Sequence, residues 1–329
     1  MSISVQNISK KFRIFKREAG LSGAMRSFFN RRHEDFYALH DVDVEIDDGE
    51  ILGILGENGA GKTTLIKILV GLLFPTDGVV VVDGFTPWER KHDFLRRISV
   101  VMGQKNQLWW DIPASESFLL NKRIYNIPDA DYQYRLDELV DLLDVRQKLN
   151  LQVRRLSLGE RMKMELIASL LHSPRIVLLD EPTIGLDVIS QSRIRDFVRY
   201  YNEQYQTTII LTSHYMNDIE QLCRRVLVIH KGKPLYDGDF KHLVQRIHPQ
   251  RKLTFAFSSF PDFDPIRQLQ DHFEFKLDGH LLTAELPDSQ VNLLLSHLFQ
   301  LNTPQYFSLE ELPVEDTMKA FFANPEQFI

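Results

Sequence analysis

Two short stretches carry residues that could do phosphate chemistry. In GENGAGKTT, residues 56–64, Gly56, Gly59 and Gly61 alternate with Glu57, Asn58 and Ala60 and lead into Lys62, Thr63 and Thr64. This is the G-x-x-x-x-G-K-[ST] spacing of a phosphate-binding loop. Glycines let backbone amides curl around a β-phosphate, and a helix starting behind the loop adds its dipole. Lys62 would neutralise β- and γ-oxygens, and Thr63 would offer a hydroxyl to Mg²⁺. A purely structural glycine turn is the bland alternative. In IVLLDEP, residues 176–182, an apolar run ends in two acids. Such a run places Asp180 at the carboxyl edge of a sheet, as the partner of a nucleotide-bound Mg²⁺. Glu181 points elsewhere and can orient or deprotonate a water for attack on a γ-phosphate. Solvated acids at a strand end are the alternative, weakened by coupling to the loop.

A third stretch, LSLGERMKME at residues 156–165, pairs Ser157 with Glu160 as a capping box. Gly159 sits inside the first turn, where glycine costs about 0.5–1 kcal/mol relative to alanine. Within a single chain this glycine has no evident local rationale.

The elements that must hold these residues follow from hydrophobic pattern. EILGIL (50–55), VVVVDG (79–84), RISVVM (97–102), RIVLLD (175–180), TTIILTS (207–213) and RVLVIHKG (225–232) are short apolar runs separated by helix-length segments. They predict buried, largely parallel strands in an α/β sheet. Residues 113–172 break this rhythm and predict helices only, with Leu136, Leu139, Val140 and Leu143 on one helical face. After a break near residues 248–250 the order becomes strand, helix, hairpin at Asp278-Gly279, helix, strand. That order predicts a small ferredoxin-like domain.

Composition bounds the function. The chain has 329 residues, 43% hydrophobic and 26% charged, as in an ordinary globular protein. The single cysteine, Cys223, excludes an internal disulfide and fits a reducing compartment, with a lone reactive thiol as the alternative. No apolar signal core opens the sequence, and no window reaches the ~18–20 apolar residues of a membrane span. A formal charge of -6 argues against nucleic acid as the main partner. The local exception is basic: Lys10, Lys11, Arg13, Lys16, Arg17, Arg26, Arg31 and Arg32 surround Leu21, Met25, Phe28 and Phe29. This piece either lies on a membrane surface or acidic partner, or folds over its own domain.

With both halves of a phosphate site in hand, residues 1 to about 245 resemble the ATP-binding cassette (ABC) ATPases. LSLGE at 156–160 looks like the family's signature motif, TIGLD at 183–187 its D-loop, TSHY at 212–215 its switch histidine, and Gln104 its Q-loop glutamine. The resemblance implies roles. Gln104 would contact Mg²⁺ and the attacking water, His214 would hold the γ-phosphate, and Asp187 would communicate across a dimer interface. Ser157 and Gly159 of one copy would close on ATP held by Lys62 of another. Taken singly, these residues are a loop glutamine, a strand-end histidine and a helix-capping aspartate. The match departs from the common pattern at Leu158, Glu160 and Gly103, which stand where glycine, glutamine and proline are more usual. Phe12 occupies the place of the adenine-stacking aromatic, with Phe36 and Tyr37 as rivals.

The resemblance therefore implies an α/β P-loop NTPase cassette over residues 1–248, with a helical subdomain at about 105–172 and a basic insertion at about 13–35, followed by an accessory domain at 249–329. QLWWDIP, the insertion and the C-terminal extension look like ATPase subunits of ABC-2 type exporters. Trp109 and Trp110 either meet a membrane subunit or pack inside the helical subdomain. The implied function is a homodimeric or heterodimeric ATPase using ATP and Mg²⁺, peripheral on the cytoplasmic face of the membrane through a permease. A soluble ABC switch on ribosomes or DNA is the alternative, although one cassette without a long coiled coil fits it poorly. A phosphotransferase kinase leaves LSLGE and TSHY unexplained.

Overall fold

The computed structural model describes residues 2–15, 33–103, 106–247, 250–258, 263–301, 303–311, 313–325 and 328. Much of the basic insertion, residues 16–32, lies outside them. The chain divides into two compact units, Met1–Phe240 and Lys241–Ile329, so the division falls ahead of the break read near residue 248.

The described residues of the first unit hold nine strands: β1 (Ile3–Phe15), β2 (His33–Ile46), β3 (Ile51–Leu55), β4 (Asp77–Val82), β5 (Ile98–Met102), β6 (Ile176–Asp180), β7 (Thr208–Thr212), β8 (Arg225–His230) and β9 (Lys233–Asp239). They form an antiparallel sheet of order β2-β1-β4 and a sheet of order β5-β6-β7-β3-β8-β9. The second is parallel except for β9. Five of the six expected strands lie in it. The sixth, VVVVDG, does not: as β4 it pairs antiparallel with β1. Val80 and Val82 are buried while Val79 and Val81 are 56% and 37% exposed. That alternation belongs to a sheet covered on one face, and a run of identical valines conceals it in the sequence.

Helix Lys62–Leu69 buries Leu65, Ile66, Ile68 and Leu69 in one core with Ile3 and Val5 of β1, Leu52 and Ile54 of β3, and Ile176 and Leu178 of β6. Each fully buried aliphatic side chain contributes about 1.5–3 kcal/mol, so the helix behind the glycine loop is firmly seated. Between β5 and β6 the described residues form the helices Ala114–Ile124, Asp129–Leu142 and Leu158–Leu170 and no strand, as expected. Leu139, Val140 and Leu143 are buried there. Cys223 is also buried, and burial pushes its thiol up, away from the reactive thiolate.

The second unit begins with helix Phe240–Ile247, all but its first residue, and continues through β10 (Gln250–Phe257), helix Phe263–Leu269, β11 (Phe275–Asp278), β12 (Leu281–Pro287), helix Asp288–Leu301 and β13 (Pro304–Glu311). Its antiparallel sheet has the order β11-β12-β10-β13. The strand-helix-strand-strand-helix-strand sequence matches the expectation, and Asp278 pairs with Leu281 across the hairpin where Gly279 takes φ 59°. A further helix, Val314–Ala323, was not expected. Among the described residues no helix is long and apolar enough to cross a membrane.

Candidate functional site

Parallel register assembles the site. Met102 of β5 lies beside Asp180 of β6, Asp180 beside Thr212 of β7, and Thr212 beside Ile54 of β3. The chain therefore leaves neighbouring strands along one carboxyl edge, and the residues that follow each strand face a common crevice. Gly103, Glu181, the Ser213-His214 pair and the loop from Gly56 all start there.

The loop is shaped by its glycines. Gly61 has φ 117°, in the left-handed region, and a Cβ on it would lie 2.5 Å from the Ala38 carbonyl oxygen. A Cβ on Gly56 would lie 2.3 Å from the Ile229 carbonyl oxygen. At the exposed crest, formed by Glu57, Asn58 and Gly59, a Cβ on Gly59 would meet nothing within 4 Å. From behind, the Gly232 amide donates to the Ala60 carbonyl at 2.9 Å. Lys62 bends back over the loop, donating to the carbonyls of Gly56 at 2.7 Å and Glu57 at 3.1 Å. Burial pushes its amine below the ordinary lysine range, against the opposing pull of Glu181 and Asp180. The helix it opens has no acid in its first turn, so its positive end is not neutralised from within. Thr64, in that turn, is half-buried.

Thr63 and Asp180 are brought together across 117 residues of sequence: the Thr63 hydroxyl lies 3.1 Å from one Asp180 carboxylate oxygen. The fully buried Thr212 hydroxyl donates to the other oxygen at 2.6 Å and accepts from the Glu181 amide at 3.1 Å. Glu181 has φ 57°. Its carboxylate stands 2.7 Å from His214 Nε2. A hydroxyl and a carboxylate make an all-oxygen donor set for a hard cation, and the Glu181–His214 pair is a carboxylate base with an adjacent imidazole.

Beneath that pair is a buried junction. Thr183 Oγ1 and, at 2.7 Å, Ser213 Oγ both donate to one oxygen of Asp218, while Arg195 donates to the other at 2.8 Å. Asp218 thus ties the segment after Glu181 to the residue before His214, and Arg195 balances its charge. The sequence reading missed Thr212 and Asp218. Thr212 had a signal, a polar residue closing an apolar strand. Asp218 gave none, since acids on short helices are ordinarily solvated.

The remaining sequence-predicted residues form a second group. Ser157 caps helix Leu158–Leu170: its hydroxyl accepts from the Glu160 amide at 3.2 Å, and Glu160 accepts from the Ser157 amide at 2.9 Å. Asp187 caps helix Val188–Tyr205, accepting from the Ser190 amide at 2.9 Å and hydroxyl at 2.6 Å. These caps meet at Gly159, because a Cβ there would lie 2.6 Å from Ser190 Oγ. The expectation that Gly159 lacks a local rationale is therefore corrected: it makes room for the Ser190 that Asp187 holds. Among the described residues, the contacts of Ser157, Gly159 and Asp187 serve these caps and do not include residues 56–64. Gln104 lies outside the described residues. Phe12 sits opposite Phe36 on the β1–β2 pair, and Phe12, Phe36 and Tyr37 are all exposed.

Past position 104, the loop bearing the tryptophans is fastened to the capped helix. Glu165, on that helix, accepts from the amides of Gln107 at 3.0 Å and Leu108 at 3.2 Å. Burial pushes its carboxyl up, against the pull of those amides. Trp109 and Trp110 are 61% and 45% exposed, with Arg161 stacked 5.3 Å from a Trp110 ring. They do not pack inside the helical segment.

A family model described as ABC transporter matches residues 39–184. The ABC transporter ATP-binding protein NatA of Bacillus subtilis is 36% identical over 208 residues, 63% of this chain and 84% of the relative. The bacitracin transport ATP-binding protein BcrA of Bacillus licheniformis is 34% identical over 209 residues, 64% of this chain and 67% of the relative. The methionine import ATP-binding protein MetN 2 of Listeria monocytogenes is 30% identical over 270 residues, 81% of this chain and 76% of the relative. Among solved structures, the dimeric bacterial ABC transporter cassette MJ0796 superposes with a TM-score of 0.60 at 24% identity, covering 72% of this chain and 98% of that one. The chain belongs to the ABC transporter family and is one of its ATP-binding, ATP-hydrolysing subunits.

Proposed function

We propose that two copies of this chain, or one copy and a related ATPase subunit, close head to tail around two ATP and drive a separate ABC-2 type membrane permease, exporting its substrate. The observation carrying this reading is the separation of the site's contacts into two groups. Lys62, Thr63, Asp180, Glu181 and His214 belong to one crevice, while Ser157, Gly159 and Asp187 belong to a pair of capped helix starts. A second copy would bring the Ser157 hydroxyl, the Gly159 amide and the positive end of their helix onto the γ-phosphate held by Lys62. Asp187 would then face the partner, and Phe12 is our choice for stacking on adenine.

Mg²⁺ fits the donors available, since Thr63 and Asp180 offer only oxygen and stand 3.1 Å apart. Held by Thr63 and Asp180, it would neutralise negative charge that develops on the phosphate oxygens. Gln104 is assigned to the same metal and to the attacking water by resemblance. Glu181 orients or deprotonates that water, and His214 holds the γ-phosphate and keeps Glu181 in place.

Exposed Trp109 and Trp110 support a permease contact, as does a cavity of about 630 Å³ that Gln107 lines together with apolar Leu72 and Ile124 and charged Arg90 and Asp93. The chain would sit on the cytoplasmic face of the membrane through that contact, with no nucleic acid involved. Import is the second reading, favoured by the match to the methionine importer subunit, which at 270 residues is longer than the first unit. The test is extraction of the chain from membranes with mild detergent and identification of its companions. A multispanning permease is expected, and recovery with ribosomes or DNA alone would sink the transport reading. Vesicles rebuilt with that permease then give the direction of movement.

A further inference from the structure

We infer that Gly103 is a positioning residue for Glu181, acting through direct backbone contact. The inference rests on the role proposed above for Glu181. Gly103 is the first residue beyond β5, and its amide donates to the Asp180 carbonyl at 2.8 Å, extending the β5–β6 ladder by one step. A Cβ built on Gly103 would lie 2.1 Å from the Glu181 carbonyl oxygen and 3.0 Å from its carbonyl carbon, with Ile184 Cγ2 at 3.2 Å. An ordinary carbon-to-oxygen contact is about 3.3–3.6 Å. On this backbone, at a position where the family more usually has proline, a side chain at 103 displaces the Glu181 peptide by about 1 Å or breaks the hydrogen bond from the Gly103 amide to the Asp180 carbonyl.

The Glu181 peptide has little room to yield. Its amide is bonded to both the carbonyl and the hydroxyl of Thr212, and its carbonyl accepts from the Ile184 amide at 3.3 Å. Its φ of 57° is a left-handed conformation that surrounding contacts must hold. Pressure on the carbonyl would be relieved by rotating the peptide, which swings the side chain off His214, 2.7 Å away. Gly103 thus bears on the Glu181 peptide, and its tie to the metal-holding Asp180 is to the main-chain carbonyl, not to the carboxylate that faces Thr63.

The experiment uses the full chain carrying Gly103→Ala, Glu181→Gln, or both, with ATP as the only ligand. Gly103→Ala should lower kcat by roughly a hundredfold, the cost of misplacing a reacting group by about 1 Å, while ATP affinity stays within about twofold. In the double variant the two losses should not multiply, and residual turnover should equal that of Glu181→Gln alone. Normal turnover by Gly103→Ala, multiplying losses, or a parallel fall in affinity and kcat would overturn the inference. Failure of Gly103→Ala to fold would also overturn it by assigning the contact to the fold. Normal turnover by Glu181→Gln is the separate result that removes the base itself.

Discussion

Glu181 holds a backbone conformation that costs an L-residue on the order of 1–3 kcal/mol, and it does so where β6 ends beside Thr212. The return is orientation: the carboxylate turns away from Asp180, which faces Thr63, and toward His214. Two adjacent acids thereby serve different atoms. Glu181→Gln is expected to keep ATP affinity, lower hydrolysis by roughly a hundredfold or more and collect as an ATP-bound dimer on size exclusion. Unimpaired turnover would show that another group handles the water. Lys62 stands differently, because its amine is already buried against two loop carbonyls and would reach a phosphate without a large search. Lys62→Ala should weaken ATP binding about ten- to hundredfold in a direct titration. An unchanged affinity would count against the phosphate-loop assignment.

Elements supply the constraints that single residues cannot. The in-register carboxyl ends of β5, β6, β7 and β3 put residues 103, 181, 213 and the start of the glycine loop side by side, and Asp218 bolts two of the exits together from below. At the other end of helix Leu158–Leu170, His172 stacks on Tyr125 at 3.9 Å with rings 7° from parallel. Burial lowers its pKa to about 4 from the ordinary 6.5. A lowered value means the neutral ring is favoured in the fold. The stability it contributes is complete above pH 6.5 and is lost as pH falls toward 4, on the order of 3 kcal/mol at about 1.4 kcal/mol per unit. His172→Phe keeps the stacking and removes the titration. Thermal melts at pH 7 and pH 4.5 should show a larger acid-induced drop for the natural chain than for the variant, and equal drops would remove His172 from the acid sensitivity.

Across the molecule, the helix that presents Ser157 at its start also carries Glu165, which grips the amides of residues 107 and 108, and Arg161, which covers Trp110. A push on the exposed tryptophans therefore has a short covalent and hydrogen-bonded route to the signature cap. Trp109→Ala should leave the ATPase activity of the isolated chain within about twofold and reduce permease co-purification by about tenfold, as for an exposed aromatic anchor. Full permease recovery with this variant would place the docking surface elsewhere.

The sequence by itself determined which residues could do phosphate chemistry: the spacing of Gly56, Lys62 and Thr63, and the DE pair closing an apolar strand, were legible because each motif is local. Part of the strand and helix order was legible too, from apolar runs and a 3.6-residue period, but β1, β2, β9 and helix Val314–Ala323 were not. Tertiary structure alone decided the rest. It moved VVVVDG from the parallel sheet to the antiparallel one, and it set Asp218 under the site. It also gave Gly159 and Gly103 their reasons, a serine hydroxyl and a carbonyl oxygen within 3 Å of where a Cβ would stand. Those neighbours lie 31 and 78 positions further along the chain, at Ser190 and Glu181. A glycine's missing atom carries no signal until folding brings its obstacle beside it.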